Sequence, residues 1–314
     1  MSDIISKNPT VFFALCSIWI IMILASLCVF SIAKFKKNAD HSNLIQRTKS
    51  WWMMVFVFSA AVLISKTVSL LFFGFLSFLA LKEFFSQIPS RRIDRRVMFW
   101  AYLAIPFQFY WIYLDWYGMF IIFIPVYMFL FLSMRMVFTE ETDGLLKSLA
   151  SIQWVLMISV FSLSHAAYLM RLPALASFKA GGAGLMLFLV VITQANDVMQ
   201  YVWGKTFGKR KILPVVSPKK TWAGFVGGVL SSVVLACLLS PYLTPFNLKQ
   251  SILAGLLLSI FGFIGDVTIS AVKRDLGIKD MGNSIPGHGG IMDRIDSLTY
   301  SAPLFFHFCR YLFY

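Results

Sequence analysis

The sequence predicts an all-α fold, a polytopic transmembrane helical bundle of about nine or ten spans. Hydrophobic residues make up 59% of the 314 residues and charged residues only 13%. The mean hydropathy is +0.76. A soluble globular protein carries about 25% charged residues, so this composition excludes one. The apolar residues are also grouped into runs, and most runs approach the roughly 20 residues that a helix needs to cross a bilayer.

These runs predict the elements in chain order. They lie at 11–33, 51–65, 67–86, 97–114, 117–138, 148–170, 181–203, 223–243, 251–272 and 298–314. The first is long and lacks both a basic leader and a small-residue cleavage site, which indicates a retained helix and not a signal peptide. The second, third and last are short, which makes the number of spans uncertain by one. Short loops join the runs, so residues 1–314 are expected to form a single integral membrane domain.

Basic residues between the runs predict the orientation. They follow the first, third and seventh runs, as Lys34, Lys36, Lys37, Arg47, Lys49, Arg91, Arg92, Arg95, Arg96, Lys205, Lys209, Arg210, Lys211, Lys219 and Lys220. Because basic loops stay in the cytoplasm, region 51–86 must cross twice and the loops near 115, 171–180 and 241–250 must lie outside. Anionic lipids and topology then explain the net charge of +14, and no nucleic-acid partner is needed.

The polar, glycine-rich segment 270–297 is the clearest pointer to function. A charged group inside a bilayer costs roughly 2.5 to 3.5 kcal/mol on insertion scales, so clustered charges usually mark a site. Carboxylates hold divalent cations, cationic side chains neutralise phosphate oxygens, and a Pro-Gly-x-Gly-Gly turn brings backbone N–H groups close to an anion. The candidates are Asp266, Ser270, Lys273, Arg274, Lys279, Asp280, His288, Gly289, Gly290, Asp293, Arg294 and Asp296. Helical spacing would place the first three of them on one face.

Acids within the apolar runs predict a cation site. Asp197 and Asp266 lie at similar depths in the seventh and ninth runs. With Asp293 they would repel one another unless a metal ion or a cationic partner were present. The alternative is that each carboxylate is capped or paired with a nearby lysine. Another intramembrane acid, Glu83, is explained most simply by pairing with Lys82 or an interfacial arginine.

The start of the eighth run predicts a phosphate site. The run follows Ser217, Lys219, Lys220 and Thr221, and its first turns contain Gly224, Gly227 and Gly228. Hydroxyl, ammonium and unpaired N–H groups at a helix start suit a phosphate. The alternative is a snorkelling basic helix cap, with small residues that allow close helix packing.

Two blocks of residues resemble one enzyme family. The longer block contains Ser270-x-Val272-Lys273-Arg274, Lys279-Asp280-x-Gly282 and Ile285-Pro286-x-His288-Gly289-Gly290-Ile291-x-Asp293-Arg294-Ile295-Asp296. The other contains Asn196-Asp197, Tyr201, Gly204-Lys205-x-Phe207-Gly208-Lys209, Ser217-Pro218-Lys219-Lys220-Thr221-Trp222-x-Gly224-Phe225 and Gly227-Gly228. Together they resemble the signature of the phosphatidate cytidylyltransferase (CDP-diacylglycerol synthase) family. Residues 181–314 would then hold the catalytic helices and loops, and residues 1–180 would be variable N-terminal helices.

The resemblance implies nucleotidyl transfer. The phosphate of phosphatidic acid would attack the α-phosphorus of CTP, giving CDP-diacylglycerol and pyrophosphate for phospholipid biosynthesis. Mg²⁺, with a possible second cation, would be held by Asp266 and Asp293 with the assistance of Asp197. Lys273 and Arg274 would hold phosphates, while Arg294 and Asp296 would orient the metal ligands. Substrate contacts would come from Ser217, Lys219, Lys220, Thr221, Ser270, Lys279, Asp280, His288, Gly289 and Gly290.

The resemblance also implies the partners and the location. CTP, phosphatidic acid or another lipid phosphate, and membrane lipids are the expected partners, and a homodimer is possible. The expected location is a bacterial inner (plasma) membrane, with the active site facing the cytoplasm, where nucleoside triphosphates are.

Three alternatives stay open. Gln200 departs from the pattern of many bacterial members, which indicates a divergent paralogue and another lipid phosphate as acceptor. A CTP-dependent lipid kinase would transfer the γ-phosphate and release CDP. An ion-coupled transporter would use its intramembrane acids as relay sites, but such a protein places acids near the bilayer midplane and not in one glycine-rich loop region.

Overall fold

Helices form nearly all of the structure, a computed structural model that describes residues 9–35, 42–89, 91, 94–173, 175 and 178–314. They are α1 (Pro9–Phe35), α2 (Ser42–Ile64), α3 (Lys66–Gln87), α4 (Asp94–Tyr113), α5 (Tyr117–Val137), α6 (Leu145–Leu169), α7 (Gly181–Phe207), α8 (Trp222–Leu243), α9 (Leu248–Asp275), α10 (Met292–Ile295) and α11 (Leu298–Phe313). Each of α5 and α6 contains a π-helical turn.

The membrane-spanning helices confirm the predicted polytopic helical class. Within the described residues, seven helices are long and apolar enough to cross a membrane, namely α1, α3 and α5 to α9. The predicted runs outside this set correspond to α2, α4 and α11. Helices α2 and α4 carry basic residues near their starts, and α11 has only 16 residues.

A small antiparallel hairpin joins α7 to α8, and the sequence analysis did not predict it. Strand β1 (Lys211–Leu213) pairs with strand β2 (Ser217–Thr221), with Lys211 opposite Thr221. Thr221 ends β2 and also caps α8, because its hydroxyl accepts a hydrogen bond from the N–H of Gly224 at 3.2 Å. The hairpin therefore fixes where the basic residues of β2 stand relative to α8.

Helices α2 and α3 form an antiparallel pair separated by a single residue, Ser65. The Ser65 side chain caps α3 by accepting a hydrogen bond from the N–H of Val68 at 3.1 Å. Near the start of α2, Ser50 donates a hydrogen bond to the carbonyl of Pro286 at 2.7 Å. Near the end of α3, Glu83 accepts one from the N–H of Ile291 at 2.9 Å. Both outer ends thus reach the loop of residues 276–291, called the signature loop below, as expected if region 51–86 crosses twice.

The loops that were predicted to lie on the non-cytoplasmic side come together at the opposite end of the bundle. Arg171 donates to Asp115 at 3.1 Å, and the Tyr314 hydroxyl donates to the carbonyl of Pro173 at 2.9 Å. Phe246, which precedes α9, stacks on Phe313 at the end of α11. These contacts place the three loops on the face opposite to the signature loop.

Buried polar groups and glycines hold α7, α8 and α9 together. Asn196 on α7 donates to the carbonyl of Ser259 on α9 at 3.2 Å and accepts from Ser232 on α8 at 3.3 Å. Hydrogen bonds of this kind between apolar helices are worth about 1 kcal/mol each. Gly228 lets α8 approach α7, since a Cβ there would lie 2.4 Å from Cγ of Gln200. The three helices that carry the site therefore have a fixed spacing.

We predict that Gly255→Ala lowers the stability of the bundle. A Cβ at this position would lie 2.8 Å from Cα of Val233 and 3.0 Å from Cβ of Ala236. Overpacking costs about 1 to 3 kcal/mol, which offsets or exceeds the gain of about 1 kcal/mol in helix propensity. The control is Gly262→Ala in the same helix, where the nearest atom would lie at 3.6 Å. Thermal unfolding in detergent should give a lower Tm for Gly255→Ala, and equal values for the two variants would contradict this packing.

Candidate active site

The signature loop, residues 276–291, is a tight turn between α9 and α10. The N–H of Ile285 donates to the carbonyl of Gly289 at 2.9 Å, and the N–H of His288 donates back to the carbonyl of Ile285 at 2.9 Å. Gly287 and Gly289 have φ angles of +73° and +82°, which a residue with a side chain rarely adopts. The predicted glycine turn is therefore present, and its chain reversal needs glycine at these positions.

A buried ion pair anchors this loop. Lys273 on α9 lies 2.7 Å from Oδ1 of Asp293 on α10, and both side chains are buried. The second oxygen of Asp293 accepts hydrogen bonds from the N–H groups of Met281 at 2.8 Å and Gly290 at 2.9 Å. A carboxylate buried at this depth needs such partners, because its desolvation penalty is several kcal/mol. Asp293 thus ties both ends of the loop to α9.

A second cluster is built around Lys220. Its ammonium lies 2.6 Å from Oδ2 of Asp266 and 2.9 Å from Oε1 of Gln200. It also lies 5.2 Å from the centre of the Phe263 ring. Burial by itself lowers the pKa of Lys220, but the charges of Asp266 and Asp197 more than offset that effect, so the pKa is raised. This lysine is therefore held as a cation.

Three acids surround Lys220. Asp197 accepts a hydrogen bond from the Ser297 hydroxyl at 2.9 Å, and Asp296 accepts one from the N–H of Ser297 at 2.8 Å. Burial, followed by the charges of Asp266 and Asp197, raises the pKa of Asp296 well above its usual value. Within the described residues, Oδ1 of Asp197 is buried without a hydrogen-bond partner. The cluster therefore contains three carboxyl groups around a single ammonium group.

The structure separates the predicted metal ligands into two sets. Asp197 and Asp266 interact electrostatically with each other and with Asp296, whereas Asp293 is paired with Lys273. In the described part of the chain, no three Asp, Glu, His or Cys side chains are arranged as a ready-made metal site. The assignment of a metal to these acids stays a prediction.

The remaining predicted residues line the same end of the bundle. Ser270 donates to Oδ1 of Asp266 at 3.3 Å, so the predicted helical face of α9 holds for this pair, although Lys273 turns away to Asp293. Arg274 donates to the carbonyls of Val216 and Ile278, at 3.3 and 3.0 Å, and so links the hairpin to the loop. Exposed side chains at the rim are Lys219, Lys279 and Asp280. Ser217 is half-buried in β2.

His288 lies on the side of the loop that faces α2, and the charge of Arg294 on α10 acts on it. The ring of His288 lies edge-on to Trp51, with ring centres 6.1 Å apart. Burial, and then the charge of Arg294, lower the pKa of His288. Neither His288 Nδ1 nor Arg294 Nε has a hydrogen-bond partner among the described residues. The lowered pKa favours a neutral imidazole at His288.

Sequence reasoning missed Glu83. It was expected to pair with Lys82 or an arginine, but both of its oxygens instead accept hydrogen bonds from the signature loop, at Ser284, Ile291 and Met292. A buried acid inside an apolar run was the signal that could have found it. Its partners lie about two hundred positions away in the sequence, so no local pattern names them.

Comparison with known proteins agrees with this geometry. The model of the cytidylyltransferase family matches residues 45–312. The uncharacterized protein YnbB of Escherichia coli (strain K12) is 41% identical over 301 residues, which are 96% of this chain and 99% of that protein. Phosphatidate cytidylyltransferase of Staphylococcus aureus (strain COL) is 42% identical over 128 residues, which are 40% of this chain and 49% of that enzyme. That of Staphylococcus haemolyticus (strain JCSC1435) is 38% identical over an equally long region.

The match to the two staphylococcal enzymes therefore spans about half of their length, whereas the family model spans most of this chain. The residues that first suggested the resemblance lie at one end of the bundle, around the Lys273–Asp293 and Lys220–Asp266 pairs. The chain is a membrane-embedded nucleotidyltransferase and belongs to the cytidylyltransferase family.

Proposed function

We propose that this protein is a CTP:phosphatidate cytidylyltransferase. An oxygen of the phosphate monoester of phosphatidic acid attacks the α-phosphorus of CTP, the bond to the β-phosphate breaks, and CDP-diacylglycerol and pyrophosphate form. The observation that carries the proposal is the pair of lysine–carboxylate clusters, Lys220–Asp266 and Lys273–Asp293, at the end of the bundle that holds the signature loop.

The chemistry needs positioning and charge neutralisation more than covalent catalysis. Negative charge develops on the non-bridging and leaving oxygens as the phosphoryl bond breaks. Lys220 and Lys273 provide cations held by carboxylate partners, and Arg274 and Lys219 add charge at the exposed rim. A phosphate monoester is largely a dianion near neutral pH, so the nucleophile needs no general base.

We infer that Asp197 and the neighbouring acids are the donors for a magnesium ion, although they are not arranged as a ready-made metal site in the described residues. Carboxylate oxygens are the ligands that Mg²⁺ prefers, and Oδ1 of Asp197 is buried without a partner among the described residues. Asp197, Asp266 and Asp296 would hold the ion, which would neutralise phosphate charge when bound. Asp293, expected in the metal site, would instead fix the loop through Lys273.

The acceptor lipid would approach from within the bilayer. The site lies in the second halves of α7 and α9, two helices long and apolar enough to span a membrane, so a lipid phosphate can reach it while the acyl chains remain among the helices. Gln200 lies at this position and binds Lys220, and Nε2 of Gln200 has no partner among the described residues. A different lipid phosphate as acceptor is therefore the first alternative.

We predict that Asp293→Asn abolishes transfer. The asparagine amide would face two N–H donors, from Met281 and Gly290, and the negative partner of Lys273 would be lost. Purified protein in lipid micelles with α-labelled CTP, Mg²⁺ and phosphatidic acid should form labelled CDP-lipid, and the variant should be slower by about a hundredfold or more.

The matched control is Asp115→Asn. Asp115 is also ion-paired, with Arg171, but at the opposite end of the bundle, so transfer should change little. Asp266→Asn serves as a second site variant if Asp293→Asn does not elute as a folded protein. Labelled CDP with an unlabelled lipid would favour the kinase, and no turnover of phosphatidic acid would lead to assays with other lipid phosphates. Equal activity in wild type and both site variants would contradict the assigned site.

We predict that chelation of divalent cations stops transfer. Without a divalent ion, Lys220 alone would have to compensate most of the charge of the CTP phosphates and of the Asp197, Asp266 and Asp296 carboxylates. Activity after treatment with EDTA should fall by at least about tenfold and return when Mg²⁺ is added. Full activity in EDTA would contradict the magnesium assignment.

We infer that the site faces the cytoplasm of a bacterial inner membrane. The basic residues between the runs support this orientation. We predict that two cysteines at the ends of α9 differ in accessibility. In a cysteine-free background, Lys249→Cys should react with a membrane-impermeant maleimide in spheroplasts, whereas Asp275→Cys should react only after lysis. The reverse pattern would invert the topology.

A further inference from the structure

Glu83 lies four residues before the end of α3 and is buried, with its carboxylate against the signature loop. Oε1 accepts hydrogen bonds from the Ser284 hydroxyl at 2.5 Å and from the N–H of Ile291 at 2.9 Å. Oε2 accepts one from the N–H of Met292 at 2.9 Å. Three donors converge on this carboxylate, and no lysine or arginine among the described residues forms an ion pair with it.

Two glycines of the signature leave room for this carboxylate. A Cβ at Gly290 would lie 2.5 Å from Oε2 of Glu83, and a Cβ at Gly282 would lie 3.0 Å from Oε1. Neither glycine has a positive φ, so the backbone conformation does not explain them. The close approach of the Glu83 carboxylate explains why these two positions are glycine.

Helix α2 holds the loop at other points. Ser50 donates to the carbonyl of Pro286 at 2.7 Å, and Arg47 donates to the carbonyl of Gly287 at 3.1 Å. The α2–α3 pair therefore binds carbonyls on one part of the loop and N–H groups on another. Asp293 binds the N–H groups of Met281 and Gly290, so the backbone of the loop is held between two carboxylates from opposite halves of the chain.

We propose that Glu83 is a positioning residue for nucleotidyl transfer, and that its carboxylate sets the conformation of residues 282–292. Through this loop it places Asp293, and with Asp293 the ammonium of Lys273. Glu83 would not touch the substrate. The proposal rests on the proposed function for its kinetic consequence, although its structural consequence can be measured without turnover.

The chemistry of the contact explains why glutamate is needed. All of its partners are donors, and a carboxylate offers only acceptors. In Glu83→Gln, one oxygen becomes an NH₂ group that faces a donor, so at least one hydrogen bond is lost and two donors oppose each other. A charge-assisted hydrogen bond contributes about 1.5 to 3 kcal/mol, which corresponds to roughly tenfold to a hundredfold in the equilibrium between held and released loop.

The experiment compares the wild-type protein with Glu83→Gln and with the control Lys82→Gln. Lys82 is the exposed neighbour on the same helix and makes none of these contacts. Hydrogen–deuterium exchange of the peptide covering 281–292 reports how often the backbone of the loop is released to solvent. CDP-lipid formation over a range of CTP concentrations reports kcat and KM. Ser284→Ala, which removes one donor and leaves the carboxylate, is a milder second variant.

We expect Glu83→Gln to raise exchange in this peptide by about tenfold or more, with a rise in KM for CTP and a lower kcat. Ser284→Ala should shift these values in the same direction by less, and Lys82→Gln should match the wild type. A merely structural role would reduce the folded fraction, which lowers kcat at unchanged KM and raises exchange throughout the bundle.

Unchanged exchange in 281–292, or a lower kcat at unchanged KM, would therefore overturn the proposal. If the proposed function is wrong, the wild-type protein makes no CDP-lipid. The exchange measurement does not need turnover, so it still shows whether Glu83 holds the loop. If Glu83→Gln cannot be purified in folded form, Ser284→Ala decides by the same two measurements.

Discussion

Compensation of buried charge is the constraint on which the rest of this structure depends. The site end of the bundle places Lys220 and Lys273 among four acids, and each lysine lies within 2.7 Å of a carboxylate. Removing one partner of a buried pair costs about 3 to 5 kcal/mol, because the other charge remains unpaired. The loop, the hairpin and three helices must therefore keep their relative positions for these charges to remain compensated.

This constraint also gives the N-terminal half a part in the site. Apolar side chains of the signature loop, such as Met281 and Ile285, are buried, and hydrogen bonds fix the polar backbone between them. The loop is held by hydrogen bonds to Arg47, Ser50 and Glu83 on the α2–α3 pair and by Asp293 on its other side. The family match that begins at residue 45 includes all of these positions. The helices that bear no signature residue are thus part of the scaffold that shapes it.

The features that could be predicted from the sequence are those that local residue patterns determine. Apolar run lengths gave the positions of the helices, and a glycine-rich segment gave the tight turn, because both depend on neighbouring residues. The contact between Ser270 and Asp266 also follows from helical spacing. One interpretation was wrong: Glu83 binds the loop and not Lys82 or an arginine. The pairing of Lys273 with Asp293 was not predicted either, because in both cases the partner is supplied by a distant segment. Spacing along a helix gives the face of a residue but not what packs against that face.

The two lysines differ in how freely they can exchange partners. Lys273 and Asp293 are both buried, and the second oxygen of Asp293 is used by backbone N–H groups, so this pair belongs to the scaffold of the loop. Lys220 instead pairs with a half-buried Asp266 and a neutral amide, close to an acid with an unpartnered oxygen. A cation whose partners are less buried and more numerous gives up less interaction free energy with them when it turns toward a phosphate. Lys220 is therefore the better candidate to follow the substrate, while Lys273 keeps the loop in place.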